Sequence, residues 1–153
     1  MAQGSRRRAR VAALQALFEA DTSEHAPLDA LRRIVARDRL GREAAAFAQD
    51  LIEGIVAQQD EIDAIIAKAA PAWPVEQLPA VDRNVLRLAL REMLGDNGAP
   101  VGAVINEAVE LAKSFGSESS SRFVNGVLGS IERERSKAHA DQATKGVTSG
   151  NGL

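Results

Sequence analysis

Four arginines within the first ten residues are the side chains best suited to bind a ligand. Residues 1–10 contain no acid, and the cations follow one another closely at Arg6, Arg7, Arg8 and Arg10. A guanidinium binds phosphate through two parallel N–H donors, so this cluster favours the sugar–phosphate backbone of a nucleic acid. Cations at the start of a helix oppose its dipole at a cost of about 0.3–1 kcal/mol each, which an anionic partner would offset. A solubilising basic tail is the alternative.

A second set of polar and aromatic side chains lies between residues 116 and 131. A serine-rich turn leads into Arg122 and Phe123 at the start of a predicted helix. An aromatic ring beside a cation at a helix N-terminus can stack on an unpaired base. The same helix contains Gly126 and Gly129, each of which costs about 1 kcal/mol relative to alanine and can permit close approach of a backbone or ligand. Alternatively, Phe123 is a core residue and the glycines serve helix packing.

The side chains suggest neither a catalytic site nor a metal site. The sequence has no cysteine, and its histidines, His25 and His139, are far apart. Glu107 and Glu110 are three residues apart but lack an accompanying histidine, which leaves a di-metal site unsupported. We therefore expect a protein that is not an enzyme and that binds no cofactor and no metal.

Length and composition predict a single domain of the all-α class. The 153 residues are 45% hydrophobic but only 3% aromatic, and alanine, leucine and valine dominate. No apolar run is long enough for a membrane span, and no apolar segment follows the basic N-terminus as in a signal peptide, so a cytoplasmic location is expected. A net charge of −2 argues against general coating of a polyanion and favours a local basic patch.

The spacing of apolar residues predicts about six to seven helices that position these side chains. The predicted helices are residues 5–20, 27–39 and 42–69, one that Asp82 caps, one from Pro100 to Gly116, and a last one from about residue 120. Prolines at 71, 74 and 79 separate an N-terminal half (about 5–70) from a C-terminal half (about 75–137). The prediction is a compact two-lobed helical bundle in residues 1–137 and a disordered, polar tail in residues 138–153.

Two further features leave alternatives open. Trp73, the only tryptophan, is expected to pack where the halves meet, or else to anchor a partner from the surface. Arg83, Arg87 and Arg91 follow one row of the predicted fourth helix. Such a row could follow a phosphate backbone, or its members could pair with acids.

Three segments resemble the NusB family of bacterial transcription antitermination factors. They are RRRARVAALQALF, LPAVDRNVLRLALREML, and INEAVELAKSFG followed by RFVNGVL. The resemblance implies an all-helical protein that binds a boxA-type sequence in nascent ribosomal RNA transcripts. It also implies binding with NusE, a small-subunit ribosomal protein, within the RNA polymerase antitermination complex.

The resemblance also implies roles for individual residues. The RNA-binding set is Arg6, Arg7, Arg8, Arg10, Phe18, Ser119, Arg122 and Phe123, and the set that faces NusE is Glu76 and Asp82. Phe18 stands where relatives often have tyrosine, and Ser119 stands where they usually have aspartate. Loss of that negative charge beside phosphates is expected to alter RNA affinity or the boxA base preference.

Two other functions are compatible with the sequence. One is an RNA-binding accessory in ribosomal RNA maturation, and the other is a helical adaptor that binds proteins and no RNA. A homodimer is also compatible with the sequence and would hide the RNA and partner surfaces.

Overall fold

The computed structural model describes residues 3–95 and 97–150. Within these residues the chain forms six α-helices, one short 3₁₀ turn and no strand. The helices are α1 (Gln3–Thr22), α2 (Pro27–Asp38), α3 (Arg42–Ala69), α4 (Ala80–Leu94), α5 (Val101–Phe115) and α6 (Ser120–Gly150), and the 3₁₀ turn is Val75–Gln77. The predicted all-α class and number of helices are confirmed. No helix in the described part is long and apolar enough to cross a membrane.

Helix α4 joins the two groups of helices. Helices α1, α2 and α3 pack on one another, as do α4, α5 and α6, and α4 also packs against α1 and α3. Val85, Leu86 and Leu90 of α4 are completely buried. Burial of one such side chain contributes about 1.5–3 kcal/mol. All six helices contribute to a single apolar core cluster.

The connection between α3 and α4 differs from the expectation for Trp73. Trp73 is 59% exposed, whereas Val75 and Leu78 fill the buried positions of this loop. Nη1 of Arg83 donates to the carbonyl oxygen of Leu78 at 3.0 Å and to that of Glu76 at 3.3 Å. The loop is therefore anchored from α4, and it presents the tryptophan to solvent.

Helix α6 continues through much of the segment predicted as a disordered tail. It remains helical as far as Gly150, and the side chains of residues 138–143 are all exposed. Alanine, glutamine and lysine in this segment favour the helix, which satisfies the backbone groups that a coil would leave to water. Residues 151–153 of the predicted tail lie outside the described residues.

Candidate nucleic-acid interface

The first turns of α1 carry two arginines, Arg6 and Arg8, that form no ion pair with an acid in the part of the chain that the structure describes. Arg6 is partly buried, and its Nη2 lies 3.4 Å from the carbonyl oxygen of Asn97. Its guanidinium lies 5.5 Å from the centre of the Phe47 ring. Arg8 is exposed, and its Nη2 donates to the carbonyl oxygen of Asp38 at 2.8 Å. Neither arginine forms an ion pair within the described residues, so both retain a positive charge for an anionic ligand.

Arg7 is also exposed, but a carboxylate from α5 holds it. Its Nε donates to Oε2 of Glu107 at 3.1 Å, and its Nη2 donates to Oε1 at 2.8 Å. The Arg7 side chain is 56% exposed and that of Glu107 is 12% exposed. Hydrogen bonding from Arg7 lowers the pKa of Glu107 below its ordinary value of 4.5, so this group is a carboxylate at neutral pH.

Arg10 occupies an internal position, which corrects its expected role as an RNA-backbone contact. Its Nε and Nη2 both donate to the carboxylate of Glu92 at 2.8 Å. The two side chains are 6% and 3% exposed. A guanidinium with this burial and this partner offers no free edge to a phosphate. Arg10 therefore joins α1 to α4 rather than contacting a ligand.

Glu92 extends this network to the turn between α4 and α5. Its Oε1 also accepts a hydrogen bond from Nδ2 of Asn97 at 2.8 Å. Oδ1 of Asn97 accepts from the backbone N–H of Ala99 at 3.0 Å, which fixes the turn locally. Because Arg6 rests on the carbonyl of Asn97, the buried Arg10–Glu92 pair supports the position of Arg6.

Asp82 is buried, which corrects its expected place on a partner-facing surface. It is 5% exposed, and Ser120 Oγ donates to its Oδ1 at 2.6 Å. It lies inside the first turn of α4 instead of capping it, since the residue before that helix is Pro79. A carboxylate in a first helical turn is stabilised by the helix dipole. Asp82 thus ties the start of α4 to the start of α6.

Gly116 caps the end of α5 at this junction, and steric crowding requires glycine at this position. Its φ is −98°, so no left-handed backbone conformation demands glycine here. An added Cβ would instead lie 2.5 Å from Ser120 Oγ and 2.8 Å from the carbonyl oxygen of Ala112. Ser120 Oγ also accepts a hydrogen bond from the backbone N–H of Ser117 at 2.9 Å. The serine turn is therefore held closely against α4 and α5.

The predicted RNA-binding residues of this turn remain accessible. Ser119 and Arg122 are exposed, and Arg122 forms no ion pair within the described part of the chain. Phe123 is partly buried and packs against the core, and part of its ring is accessible to solvent. Gly126 is exposed, and an added Cβ would meet no atom within 4 Å. Packing within this chain does not require glycine there.

The candidate RNA-binding residues of the first turns of α1 and those of the serine turn form two separate groups. The pair Arg10–Glu92 lies near the end of α4, whereas Asp82–Ser120 lies near its start. Positions 82 and 92 are about 15 Å apart along a helix with 1.5 Å rise per residue. The arginines of α1 and the residues of the serine turn therefore lie at separate places on the surface, and they do not form one contiguous cluster.

Phe18 belongs to a third region. It is 41% exposed and lies one turn before Asp21, whose Oδ2 accepts from Arg83 Nη2 at 2.8 Å. Arg83 also holds the loop that contains the exposed Glu76. Phe18 is about 18 Å from Arg6 along α1, at 1.5 Å per residue. Phe18 lines a surface pocket with Arg33 and Arg37 of α2, and it therefore lies apart from the arginines of the first turns.

Two of the three arginines in the row on α4 pair with acids, which was one of the two alternatives. Arg83 pairs with Asp21 at 2.8 Å, and Arg87 pairs with Asp63 at 2.8 Å. Arg91 crosses α3 at Gly54 and donates to Oε1 of Gln58 at 2.7 Å. An added Cβ on Gly54 would lie 1.8 Å from Arg91 Nε, so this crossing requires glycine.

Nothing in the sequence indicates that Glu92 and Glu107 form ion pairs with the arginines of α1. They are 82 and 100 residues away from the arginines that they bind. Only the packing of α1 beside the C-terminal helices brings these groups together. In the part of the chain that the structure describes, no group of three or more acidic or histidine side chains could hold a metal ion.

Comparisons with known proteins agree with this architecture. The profile of the NusB family matches residues 7–133. The transcription antitermination protein NusB of Dehalococcoides mccartyi is 50% identical over 139 residues, which cover 91% of this chain and 94% of that protein. The solved structure of T. maritima NusB is 37% identical with a TM-score of 0.78, and the match covers 84% of this chain and 91% of the other. A solved structure of antitermination factors NusB and NusE in complex with dsRNA is 29% identical with a TM-score of 0.78, covering 87% and 99%.

Proposed function

The chain belongs to the NusB family, and from this premise we propose that it is a transcription antitermination factor. It binds boxA-type RNA in nascent ribosomal RNA transcripts together with NusE, as part of the RNA polymerase antitermination complex in the cytoplasm. Relatives that cover nearly the whole chain are named as antitermination proteins, which supports this role. A similar structure that contains NusB, NusE and RNA supports the two partners. No catalytic role is proposed.

The single observation that carries the RNA-binding role is the set of solvent-accessible cations on the first turns of α1. We define the arginine patch as Arg6, Arg7 and Arg8. Two of these cations have no acidic partner within the described residues, and the third is more than half exposed. Their guanidinium groups neutralise phosphates of the RNA backbone. Arg10 does not contact RNA in this account, because it stabilises the patch from inside.

The second RNA contact is the serine-turn patch, which we define as Ser119, Arg122 and Phe123. Arg122 supplies a free cation, and the exposed edge of Phe123 offers a surface on which a base stacks. Gly126 leaves open space on the next turn of α6, so a strand of RNA can approach the helix backbone closely.

The NusE-facing surface is formed by Trp73 and Glu76. A large apolar side chain and a carboxylate are exposed on this loop, and Arg83 holds the loop in place. Exposed aromatic residues on rigid elements are frequent anchors of protein–protein interfaces. Asp82 lies outside this surface, because the hydrogen bond that it accepts from Ser120 ties it to the serine turn.

Light scattering after size-exclusion chromatography tests the assembly. The chain has a mass of 16.3 kDa, and we expect a complex that contains one copy each of the chain, NusE and a boxA RNA. An isolated chain at twice this mass that fails to bind either partner would favour a homodimer with hidden surfaces. Recovery of a complex with NusE that excludes RNA would favour the adaptor function.

A further inference from the structure

We propose that Glu107 is an internal competitor for the RNA backbone, which occupies Arg7 until a phosphate group displaces it. The inference rests on the proposed RNA-binding function and deepens it. It assigns to α5 a residue that sets the strength of the RNA contact without touching the RNA.

The geometry of the ion pair is the basis of the competition. Glu107 takes the Nε and Nη2 donors of Arg7 with its two carboxylate oxygens, at 3.1 Å and 2.8 Å. This two-point arrangement is the one that a guanidinium also uses for phosphate. A phosphate at this edge must replace the carboxylate. A phosphate at the other edge of the guanidinium shares one positive charge with it, so Glu107 weakens the contact in either case.

The two partners differ in exposure, and the more exposed one, Arg7, is the one that moves when the pair opens. The Arg7 side chain is 56% exposed, whereas that of Glu107 is 12% exposed. Arg7 can therefore turn toward a ligand while Glu107 stays on α5. Ion pairs with an exposed partner are weak, so a phosphate can displace the carboxylate. The buried Arg10–Glu92 pair cannot exchange in this way, because opening it would leave an unpaired charge in the interior.

A neighbouring acid provides a matched control. Glu110 lies one turn further along α5 and pairs with Lys113 at 3.5 Å. It forms no ion pair with Arg7 and acts on it only through weaker Coulomb attraction. Replacement of either glutamate by glutamine removes the same charge from the same helix. Only the Glu107→Gln variant releases Arg7.

The experiment measures binding of a boxA RNA by fluorescence anisotropy at several salt concentrations, with NusE present. We expect Glu107→Gln to bind about two- to fivefold more tightly than wild type, which corresponds to loss of an ion pair with one exposed partner. The log–log salt dependence should keep nearly the slope of wild type, because Arg7 neutralises the same phosphate in both proteins. Glu107→Ala removes the same charge and should show the same direction. If Glu110→Gln tightens binding as much, the effect is general repulsion and the proposal is wrong.

The Arg7→Ala background decides whether Glu107 acts through Arg7. In that background, Glu107→Gln should leave RNA affinity unchanged. Equal tightening with and without Arg7 would overturn the proposal. So would an unchanged affinity of Glu107→Gln in a protein that still prefers boxA to a scrambled RNA, and in that case the proposed function would stand. A wild-type protein that binds neither RNA would overturn both.

Discussion

Arg10 and Glu92 form a buried two-point ion pair, with both N–O distances at 2.8 Å, that joins the first helix to the central fourth helix. The pair removes one of four N-terminal arginines from the surface and fixes the turn on which Arg6 rests. The basic segment is therefore partly a ligand-binding patch and partly a packing element.

Breaking the buried pair should destabilise the fold. Because Arg10→Ala leaves the Glu92 carboxylate buried and without its partner, we expect the free energy of unfolding to fall by about 3–5 kcal/mol. Urea denaturation at neutral pH measures the change. Arg8→Ala is the matched control, because Arg8 is exposed and bonds only a backbone carbonyl, and it should cost less than about 1 kcal/mol. Similar losses in the two variants would contradict the assigned packing role of Arg10.

The salt dependence of RNA binding should report Arg6 and Arg8, the two arginines of the patch that form no ion pair within the described residues. If Arg6 and Arg8 each neutralise one phosphate, the double Arg6→Ala/Arg8→Ala variant should have a log–log slope shallower by about 1.4 than wild type. Anisotropy titrations at several salt concentrations give this value. A slope equal to that of wild type would remove both residues from the RNA site.

Phe123 should contribute separately to stability and to RNA binding. The ring packs partly against the core and is partly exposed. Phe123→Leu retains an apolar side chain for packing but removes the aromatic face. We expect RNA affinity to fall by about 1–3 kcal/mol through lost base stacking, with a smaller effect on thermal unfolding. An unchanged affinity together with a lower melting temperature would assign Phe123 to the core alone.

The residues exposed beside the α3–α4 connection should contribute directly to the binding of NusE. Calorimetry should show weaker binding for Trp73→Ala and for Glu76→Ala, with unfolding curves like that of wild type. Asp82→Ala should behave differently. It leaves Ser120 Oγ without its acceptor, and we expect a loss of about 1–3 kcal/mol in stability. Normal NusE affinity in the Trp73 and Glu76 variants would exclude this surface.

The pair Arg7–Glu107 should make stability depend on pH. The pKa of Glu107 is lowered in the folded state, chiefly by its hydrogen bonds from Arg7. Its contribution to stability is therefore present above the ordinary value of 4.5 and is lost as the pH falls through the lower, folded-state value. The difference in urea midpoint between wild type and Glu107→Gln should shrink between pH 7 and acidic pH. A difference that stays constant over that range would show that the carboxylate is not stabilised in this way.

The local sequence predicts the helices well and their contacts poorly. Apolar spacing and prolines identify six helices, and the family motifs identify the family, because both are local properties of the chain. Pairings such as Arg10–Glu92 depend on residues that are distant in sequence, and nothing in a single helix reveals them. Asp82 shows the same limit. An acid in a first helical turn suggests exposure, yet packing of α6 on α4 buries it.

The most direct test of the central claim compares binding of a boxA RNA and a scrambled RNA, each with and without NusE, by fluorescence anisotropy. We expect NusE to tighten binding of the boxA RNA and to have little effect on the scrambled RNA. We also expect the gain to disappear when the arginine patch is removed with Arg6→Ala, Arg7→Ala and Arg8→Ala together. Equal and salt-sensitive binding of both RNAs, unchanged by NusE, would contradict joint boxA recognition and favour an RNA-binding accessory in ribosomal RNA maturation.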